Sequence, residues 1–267
     1  MIRISDTDNC IVMRYLLSRF YGLVTKLRVL LYEKGVLVSH HLNHPVVSVG
    51  NLTVGGTGKT PLIIFLATTL KQAGYQPVVL TRGYKRKTKD PVLVVSDGKK
   101  ILCTPEDSGD EPYLLATKLS GVPVIVSKNR YAGGYSVEGQ YQKLIYLLDD
   151  GYQHLQLKRD LNILVLDATN PFSESRLLPL GKLREPLNAL KRADTIVISR
   201  SHMFSDFEDL QVRIRKWNKV APLAYFHHDV TAIFDARNTA NQFLPRDFIG
   251  KRVIALAAIG NPQVFLH

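Results

Sequence analysis

Short uninterrupted apolar runs alternate with segments of helical periodicity along most of this chain. The runs predict strands at residues 46–49, 77–81, 92–95, 123–126, 144–148, 161–167, 195–199 and 253–257. The periodic segments predict helices at residues 60–73, 111–119, 131–142 and 207–218. Because strands that are apolar throughout and separated by helices form parallel sheets covered on both faces, we expect an α/β fold with a mostly parallel sheet and helices on both faces.

Residues 10–38 predict an N-terminal amphipathic helix. Apolar side chains recur there at helical spacing, at Val12, Leu16, Phe20, Leu23, Leu27 and Leu30. Basic residues flank this arc, with Arg14 and Arg28 on one side and Arg19 and Lys26 on the other. Such a helix can lie in the interface of an anionic membrane or pack its apolar face on its own domain. No run approaches the roughly 18 uncharged apolar residues of a membrane span, and arginines interrupt the apolar region of a would-be secretory signal.

The pattern divides the chain into three parts. Residues 1–40 form the amphipathic segment, which we expect to associate with a membrane, and residues 41–222 hold the alternation of strands and helices. After Pro222 the alternation gives way to a stretch rich in Thr, Asn and Arg. We therefore assign residues 223–267 to a linker and the start of a second domain.

The composition favours a folded protein that binds an anion. Lysine and arginine total 35 against 23 aspartates and glutamates, a formal net charge of +12, which predicts attraction to a nucleotide, a nucleic acid or an acidic membrane surface. The basic residues 82–89 include one aromatic, Tyr84, so a solvated loop or a clamp for a phosphorylated substrate is at least as good an interpretation as nucleic-acid binding. Cys10 and Cys103 form no spacing pattern and predict a reducing compartment without a disulfide framework or zinc site.

A glycine-rich segment between the strand at 46–49 and the helix at 60–73 predicts a nucleotide-phosphate loop. Its glycines and the following helix start direct backbone N–H groups at one point. Lys59 would reach the β- and γ-phosphates, and the Thr60 hydroxyl would hold Mg²⁺. Thr53 stands where the motif's first glycine is usual, so an ordinary tight turn is the alternative. The expected nucleotide-binding residues are Thr53, Val54, Gly55, Gly56, Thr57, Gly58, Lys59 and Thr60.

Three further groups of charged residues are candidates for the same site. Asp149 and Asp150 end an apolar strand beside the expected loop, where they would hold Mg²⁺ or else cap the next turn. Asp110 begins a predicted helix, and from its position alone an N-cap role is favoured over a chemical one. The Arg184-Glu185 pair would stabilise a transferring phosphoryl group or form a surface ion pair.

Several of these motifs, in this order, resemble those of the tetraacyldisaccharide 4′-kinase family. The matching segments are residues 47–53 with 55–61, 81–84, 109–112, 149–154 and 183–186. The resemblance extends from about residue 11 to the C-terminus and implies a P-loop NTPase-like fold with an incomplete second α/β domain.

The resemblance implies transfer of phosphate from ATP, with Mg²⁺, to the 4′-hydroxyl of an acylated disaccharide 1-phosphate, giving lipid IVA in lipid A biosynthesis. It places the protein peripherally at the cytoplasmic face of the bacterial inner membrane, on an anionic surface, with neither nucleic acid nor an obligate protein partner. Asp110 would act as base, and Lys59 and Thr60 would bind phosphate and Mg²⁺. Asp149 and Asp150 would complete the metal shell, with Arg184 and Glu185 in support.

The chain departs from the family pattern at two places. Gly181-Lys182 stands where the family usually has Gly-Pro, and the family's later Asp-His motif, whose histidine is thought to pair with the base, has no match before His267. We therefore expect weak activity, and a truncated, membrane-associated ATP-binding protein is the alternative. A P-loop switch protein of the GTPase type is a further alternative, but the chain has no Asn-Lys-x-Asp motif for base recognition.

Overall fold

The computed structural model describes residues 6–254 and 256, except 205, 228 and 239, with side chains from residue 11 onward. The helices are α1 (Asp6–Glu33), α2 (Lys59–Gln72), α3 (Pro105–Ser108), α4 (Asp110–Lys118), α5 (Arg130–Tyr135) and α6 (Glu208–Arg215). The strands are β1 (Val46–Gly50), β2 (Gln76–Thr81), β3 (Val92–Asp97), β4 (Pro123–Ser127), β5 (Leu144–Asp149), β6 (Leu161–Asp167), β7 (Thr195–Ser199), β8 (Leu223–Phe226), β9 (Ile233–Phe234) and β10 (Gln242–Phe243).

Eight strands form one sheet in the order β3-β4-β2-β5-β1-β6-β7-β8. Neighbouring strands pair in parallel except at one edge, where β3 is antiparallel to β4. The predicted mostly parallel α/β fold is confirmed. In the centre, β1 pairs with β5 so that Val49 lies opposite Asp149. The end of β1, which leads into the glycine-rich loop, therefore lies beside the acidic end of β5.

Alternate residues of the central strands enter cores on opposite faces of the sheet. In β6, Ile163 and Val165 pack with side chains of α2 and α4. Leu164 and Leu166 pack on the other face, with α6 and the 3₁₀ turn at Leu187–Arg192. Because these strands are buried on both faces, their sequences are apolar without alternation. The predicted covering of both faces by helices is confirmed.

Two helices are shorter than their periodicity predicts. α5 ends at Tyr135 instead of residue 142, and α6 covers Glu208–Arg215 instead of residues 207–218. Packing explains the glycines of α5, since a Cβ on Gly134 would lie 2.4 Å from the side chain of Leu42. Glycine disfavours helix by about 1 kcal/mol relative to alanine, and Gly139 has a left-handed φ of 80°, so the helix does not continue.

The N-terminal helix α1 packs on the domain through small and polar side chains. The Ser18 hydroxyl donates to the carbonyl oxygen of Leu177 at 3.0 Å, and the Tyr21 hydroxyl donates to that of Arg184 at 2.9 Å. Gly22 allows close approach, because a Cβ there would lie 2.7 Å from the side chain of Leu177. The docked face of this helix is therefore its polar face.

The apolar arc of α1 faces away from the domain. Its members are exposed, up to 65% for Phe20, and they are Val12, Leu16, Phe20, Leu23, Leu27 and Leu30. The predicted amphipathic helix is confirmed, and the alternative in which its apolar face packs on its own domain is wrong. No helix in the described part of the chain is long and apolar enough to cross a membrane.

The main sheet continues past Pro222, where the sequence suggested a boundary. β8, which was not predicted, pairs in parallel with β7 directly after that proline. Beyond it, β9 and β10 form a separate antiparallel pair. Residues 255 and 257 of the strand predicted at 253–257 lie outside the described residues, and Val253 and Ile254 have no regular structure. A second domain in residues 223–267 stays a prediction.

The buried Asn218 side chain holds the turn between α6 and β8. Its Nδ2 donates to the carbonyl oxygens of Leu190 and Ala193 at 2.9 and 2.8 Å. Its Oδ1 accepts from the amides of Val220 and Ala221 at 3.2 and 2.9 Å. These four hydrogen bonds end the helical segment early and direct the chain into the sheet.

We predict that Asn218→Ala lowers the free energy of unfolding by about 2–3 kcal/mol, because it leaves buried backbone groups without partners. The change is measured by urea denaturation. Asn238→Ala is the matched control, since the side chain of the exposed Asn238 accepts from the amide of Ala240 in a surface turn, and its loss should cost less than about 1 kcal/mol. Equal losses for the two variants would contradict a structural role for the buried side chain.

Candidate active site

The glycine-rich loop joins β1 to the start of α2. Gly58 immediately precedes this helix with a left-handed φ of 82°, and Gly55 has a φ of 118°. Residues with a Cβ rarely adopt these conformations, so glycine is required at both positions. α2 then begins at Lys59, and the N–H groups of its first turn have no partners within the helix. A helix start that follows such a loop is a site for a polyphosphate.

Residues at the end of β7 support this loop from one side. The Ser199 hydroxyl donates to the carbonyl oxygen of Thr57 at 2.9 Å, and the Arg200 guanidinium donates to that of Gly56 at 2.9 Å. Arg200 also forms a buried ion pair with Asp167 at the end of β6. These bonds occupy carbonyl groups of the loop and fix its backbone.

A second loop, residues 176–184, supports the other side and is called the arginine loop here. Its Lys182 carbonyl accepts from the amide of Val54 at 2.8 Å, and Leu183 forms a β-bridge with Thr53. Thr53 is buried, and Val54 is partly exposed. Thr53 thus pairs with the arginine loop through its backbone, and its hydroxyl accepts from Asn51 Nδ2 at 3.5 Å.

Lys59, Asp150 and Arg184 form a continuous chain of charges at the mouth of the loop. Lys59 Nζ lies 3.4 Å from Asp150 Oδ1 and donates to Asn51 Oδ1 at 3.2 Å. Arg184 donates to Asp150 Oδ2 at 2.7 Å. Burial alone would raise the pKa of Asp150, but Lys59 and Arg184 outweigh it and hold this pKa below its ordinary value. Asp150 is therefore an anion at neutral pH.

Asp149 is the buried neighbour of that anion. Its Oδ2 accepts from the Thr81 hydroxyl at 3.0 Å. Burial, with the adjacent charge of Asp150, raises the pKa of Asp149 to about 6, and Lys59 opposes this shift. The charge of Glu111, in the first turn of α4, also raises the pKa of Asp149.

Asp110 is the first residue of α4, and its side chain is exposed. The N-cap is Gly109, with a φ of 93°, so the N-cap role expected for Asp110 from its position alone is wrong. Only glycine fits there readily, because a Cβ on Gly109 would lie 2.7 Å from the carbonyl oxygen of Tyr84. The Asp110 carboxylate is therefore exposed beside Glu111 in the first turn of α4 and does not cap the helix.

Arg184 and Glu185, adjacent in sequence, have different partners. Glu185 is buried, 4% exposed, and its Oε2 lies 2.7 Å from the Arg192 guanidinium. That guanidinium in turn lies over the Tyr152 ring, 4.9 Å from its centroid. The alternative of a surface ion pair between the two neighbours is therefore wrong. Glu185 holds the backbone behind the site, and Arg184 points into it.

The sequence profile of the tetraacyldisaccharide-1-P 4′-kinase family matches residues 12–267, almost the whole chain. This chain belongs to that family. The tetraacyldisaccharide 4′-kinase of Halothermothrix orenii is 39% identical over 94% of this chain and 68% of its own length. That of Desulfotalea psychrophila is 40% identical over 94% of this chain and 72% of its own length. The chain is shorter than these relatives, which are named as kinases.

A solved structure extends the similarity to the fold and to a nucleotide. LpxK from Aquifex aeolicus, determined in complex with ATP, is 32% identical to this chain in sequence over the matched part. The match covers 83% of each chain with a TM-score of 0.68. The P-loop NTPase-like fold and the ATP-binding character of the family agree with the glycine-rich loop described above.

The residues expected to hold Mg²⁺ satisfy part of what that ion needs. Asp149 is the last residue of β5 and Asp150 follows it, with its buried Oδ1 3.4 Å from Lys59 Nζ. Thr60 lies half-buried in the first turn of α2. No group of three or more His, Cys, Asp or Glu side chains that suits a metal occurs among the described residues. Because Mg²⁺ is usually held by one or two carboxylates, water and substrate phosphates, this pair fits the ion.

The sequence interpretation missed four residues of this kinase-family site. They are Asn51, Thr81, Ser199 and Arg200, each at or just beyond the carboxyl end of a parallel strand. These ends meet at one edge of the sheet, where such folds bind ligands. Polar residues directly after predicted strands are therefore a usable signal for such a site.

We predict that the effect of Asp149→Asn on the free energy of unfolding depends on pH. The variant should gain about 2 kcal/mol over the wild type between pH 4 and pH 8. In the folded protein the Asp149 pKa is about 6, above its ordinary value of 3.8. The unfolded chain thus releases this proton first as pH rises, and the wild type loses stability between pH 4 and 6. Asparagine does not ionise and avoids that loss. Urea denaturation at both pH values measures the difference.

Asp97→Asn is the control of opposite sign. Hydrogen bonds from the amides of Lys100 and Lys99 lower the pKa of the exposed Asp97. Its charged form is thus favoured by folding, so this variant should be less stable than the wild type at pH 8 and closer to it in acid. An Asp149→Asn effect that does not change with pH would contradict the raised pKa.

Proposed function

We propose that this chain transfers the γ-phosphoryl group of ATP to the 4′-hydroxyl of a tetraacyldisaccharide 1-phosphate, giving lipid IVA in lipid A biosynthesis. The observation that carries the proposal is the chain of charges from Lys59 through Asp150 to Arg184, at the mouth of a phosphate loop. Membership of the 4′-kinase family and the ATP complex of the related structure support it.

The phosphate loop and Lys59 would bind and orient ATP. The first-turn N–H groups of α2 direct positive charge at the β- and γ-phosphates. Lys59 now contacts Asn51 and Asp150, so its ammonium is held at the loop mouth by two oxygen atoms. In phosphoryl transfer, positioning and charge neutralisation supply most of the catalysis, which is the role that these residues fit.

Arg184 would stabilise charge on the transferring group, with Glu185 in a supporting role. Asp150 holds the Arg184 guanidinium at the loop mouth, and Glu185 anchors the adjacent backbone through Arg192. Asp149, Asp150 and Thr60 would hold Mg²⁺, and the ion would supply charge neutralisation at the phosphates of ATP. Preorganised cations cost no rearrangement as charge develops, which is why they lower barriers effectively.

Asp110 would accept the proton of the 4′-hydroxyl. Its carboxylate is exposed at the start of α4, and the effect of the adjacent Glu111 on the pKa of Asp149 supports this role. The Asp110 carboxylate can accept a hydrogen bond from the 4′-hydroxyl and take its proton as the phosphoryl group arrives.

We predict that Lys59→Ala and Asp110→Ala each reduce transfer by at least about 100-fold, the usual size of a lost electrostatic or general-base contribution. The assay follows labelled γ-phosphate from ATP into purified tetraacyldisaccharide 1-phosphate in detergent micelles. Lys99→Ala and Asp209→Ala are the matched controls, because both residues are exposed and lie on other elements, and they should retain wild-type rates.

The outcomes separate the candidate functions. Lipid phosphorylation that requires both Lys59 and Asp110 supports the kinase. Binding of ATP by the wild type without any lipid product would instead support a nucleotide-binding protein and refute the proposed reaction.

The apolar arc of α1 supports peripheral attachment to the cytoplasmic face of the inner membrane. Its large side chains are exposed, and arginine and lysine flank them. Such a helix lies in the headgroup layer with its apolar face inserted, and its cations attract anionic lipids. A kinase whose substrate carries four acyl chains needs to work at this level, so the membrane and the substrate would be met by the same surface.

We predict that Leu16→Glu, Phe20→Glu and Leu23→Glu together abolish co-sedimentation with vesicles that contain anionic lipid. Three exposed apolar side chains leave the membrane interface, and added negative charge opposes the lipid headgroups. The fold should be retained, because these side chains are 62%, 65% and 63% exposed. Val220→Glu, at a site that is 89% exposed on another surface, is the control. Unchanged sedimentation of the triple variant would contradict membrane attachment through α1.

A further inference from the structure

The arginine loop lies between the N-terminal helix and the phosphate loop. Towards the phosphate loop, the Lys182 carbonyl accepts from Val54 at 2.8 Å. Towards α1, the Leu177 carbonyl accepts from Ser18 at 3.0 Å, and the Pro179 carbonyl accepts from Arg14 at 2.9 Å. A single short segment therefore connects the membrane-facing helix to the nucleotide site.

Arg184, the last residue of this loop, is held on both sides of its own peptide unit. Its amide donates to the carbonyl oxygen of Leu52 at 2.7 Å, just before the phosphate loop. Its carbonyl oxygen accepts from the Tyr21 hydroxyl at 2.9 Å, and its guanidinium binds Asp150 at 2.7 Å. Tyr21 is thus the contribution of α1 to the placement of a site arginine.

The Tyr21 hydroxyl is suited to a permanent donor role. Burial, followed by the charge of Glu185, raises the pKa of Tyr21 above its ordinary value. The hydroxyl therefore keeps its proton throughout the neutral range. A neutral donor to a backbone carbonyl fixes position without changing the charge of the site.

We propose that Tyr21 is a positioning residue for phosphoryl transfer, which holds the backbone of Arg184 so that its guanidinium stays at the phosphate loop. This inference rests on the proposed kinase function. It makes the docking of α1 and the placement of Arg184 a single event, because the same hydrogen bond serves both.

A second connection runs parallel to the first. Arg28 of α1 donates to the carbonyl oxygen of Gln153 at 3.1 Å. The Gln153 side chain donates to the carbonyl oxygen of Asn51 at 3.0 Å, and Asn51 Oδ1 accepts from Lys59 at 3.2 Å. α1 therefore reaches both cations of the site, although the route to Lys59 is longer than the direct bond to Arg184.

The test is Tyr21→Phe, which removes the hydroxyl and leaves the packed ring. We expect kcat for lipid phosphorylation to fall roughly 3- to 10-fold, as for the loss of one ordinary hydrogen bond, with the KM for ATP unchanged. Tyr15→Phe is the matched control, since this tyrosine of the same helix is 51% exposed and lies beside Arg19, and it should leave kcat unchanged.

A double variant decides whether Tyr21 acts through Arg184. In the Arg184→Ala background, Tyr21→Phe should produce no further loss of kcat, because the group that it positions is absent. An additive loss, or a wild-type kcat for Tyr21→Phe alone, would overturn the inference. If Tyr21 had a merely structural role, Tyr21→Phe would lower thermal stability, and its loss of kcat would add to that of Arg184→Ala.

Hydrogen exchange provides the readout if the wild type makes no lipid product, a result that would refute the proposed function alone. The Arg184 amide, bonded to Leu52, should exchange faster in Tyr21→Phe than in wild type, while amides of β6 and β7 exchange at equal rates. Unchanged exchange at Arg184 would overturn the positioning role whether or not the chain is active.

Discussion

The parallel pairing of β1 with β5 is the contact on which the rest of the site depends. It sets Val49 opposite Asp149, so the phosphate loop that leaves β1 begins beside Asp149, the last residue of β5, and Asp150, which follows it. A slip of one residue would turn Asp149 to the other face of the sheet, because side chains alternate along a strand. The register is fixed by apolar residues buried on both faces of these strands. Hydrophobic packing thereby determines where the charged chemistry lies.

Two adjacent aspartates acquire opposite properties from their surroundings. Asp150 lies between Lys59 and Arg184, which stabilise its anion, whereas Asp149 is buried against Thr81 with a pKa raised to about 6. Environments that shift the pKa values of two neighbouring titratable groups in opposite directions are characteristic of functional sites. Keeping Asp149 charged at neutral pH costs stability, and a bound cation would relieve that cost. The Asp149 carboxylate therefore favours a bound cation, which phosphoryl transfer requires.

The helix α1 reverses the usual orientation of an amphipathic helix on a globular domain. Its small and polar residues face inward, where Gly22 allows close approach, and its large apolar residues face outward. An exposed apolar face of this extent needs a partner of its own. The inward face meets the arginine loop through Ser18 and Tyr21, so a partner bound to the outer face would hold the same helix that contacts Arg184. Membrane attachment and catalysis would then share one structural element.

The sequence by itself determined seven of the eight strands of the main sheet, the phosphate loop and the family. Apolar runs are local signals of burial, and glycines before Lys59 are a local signal of an anion site, so both could be interpreted without knowing the fold. Which charged groups meet was decided only by the tertiary structure. Arg184 binds Asp150, 34 residues away, instead of its neighbour Glu185, and Gly109 replaces Asp110 as the helix cap. The strand β8 likewise formed because Asn218 turns the chain back to β7. These outcomes depend on strand order and on the packing of distant segments. A linear pattern of polar and apolar residues specifies which side chains are buried but not which residues they contact.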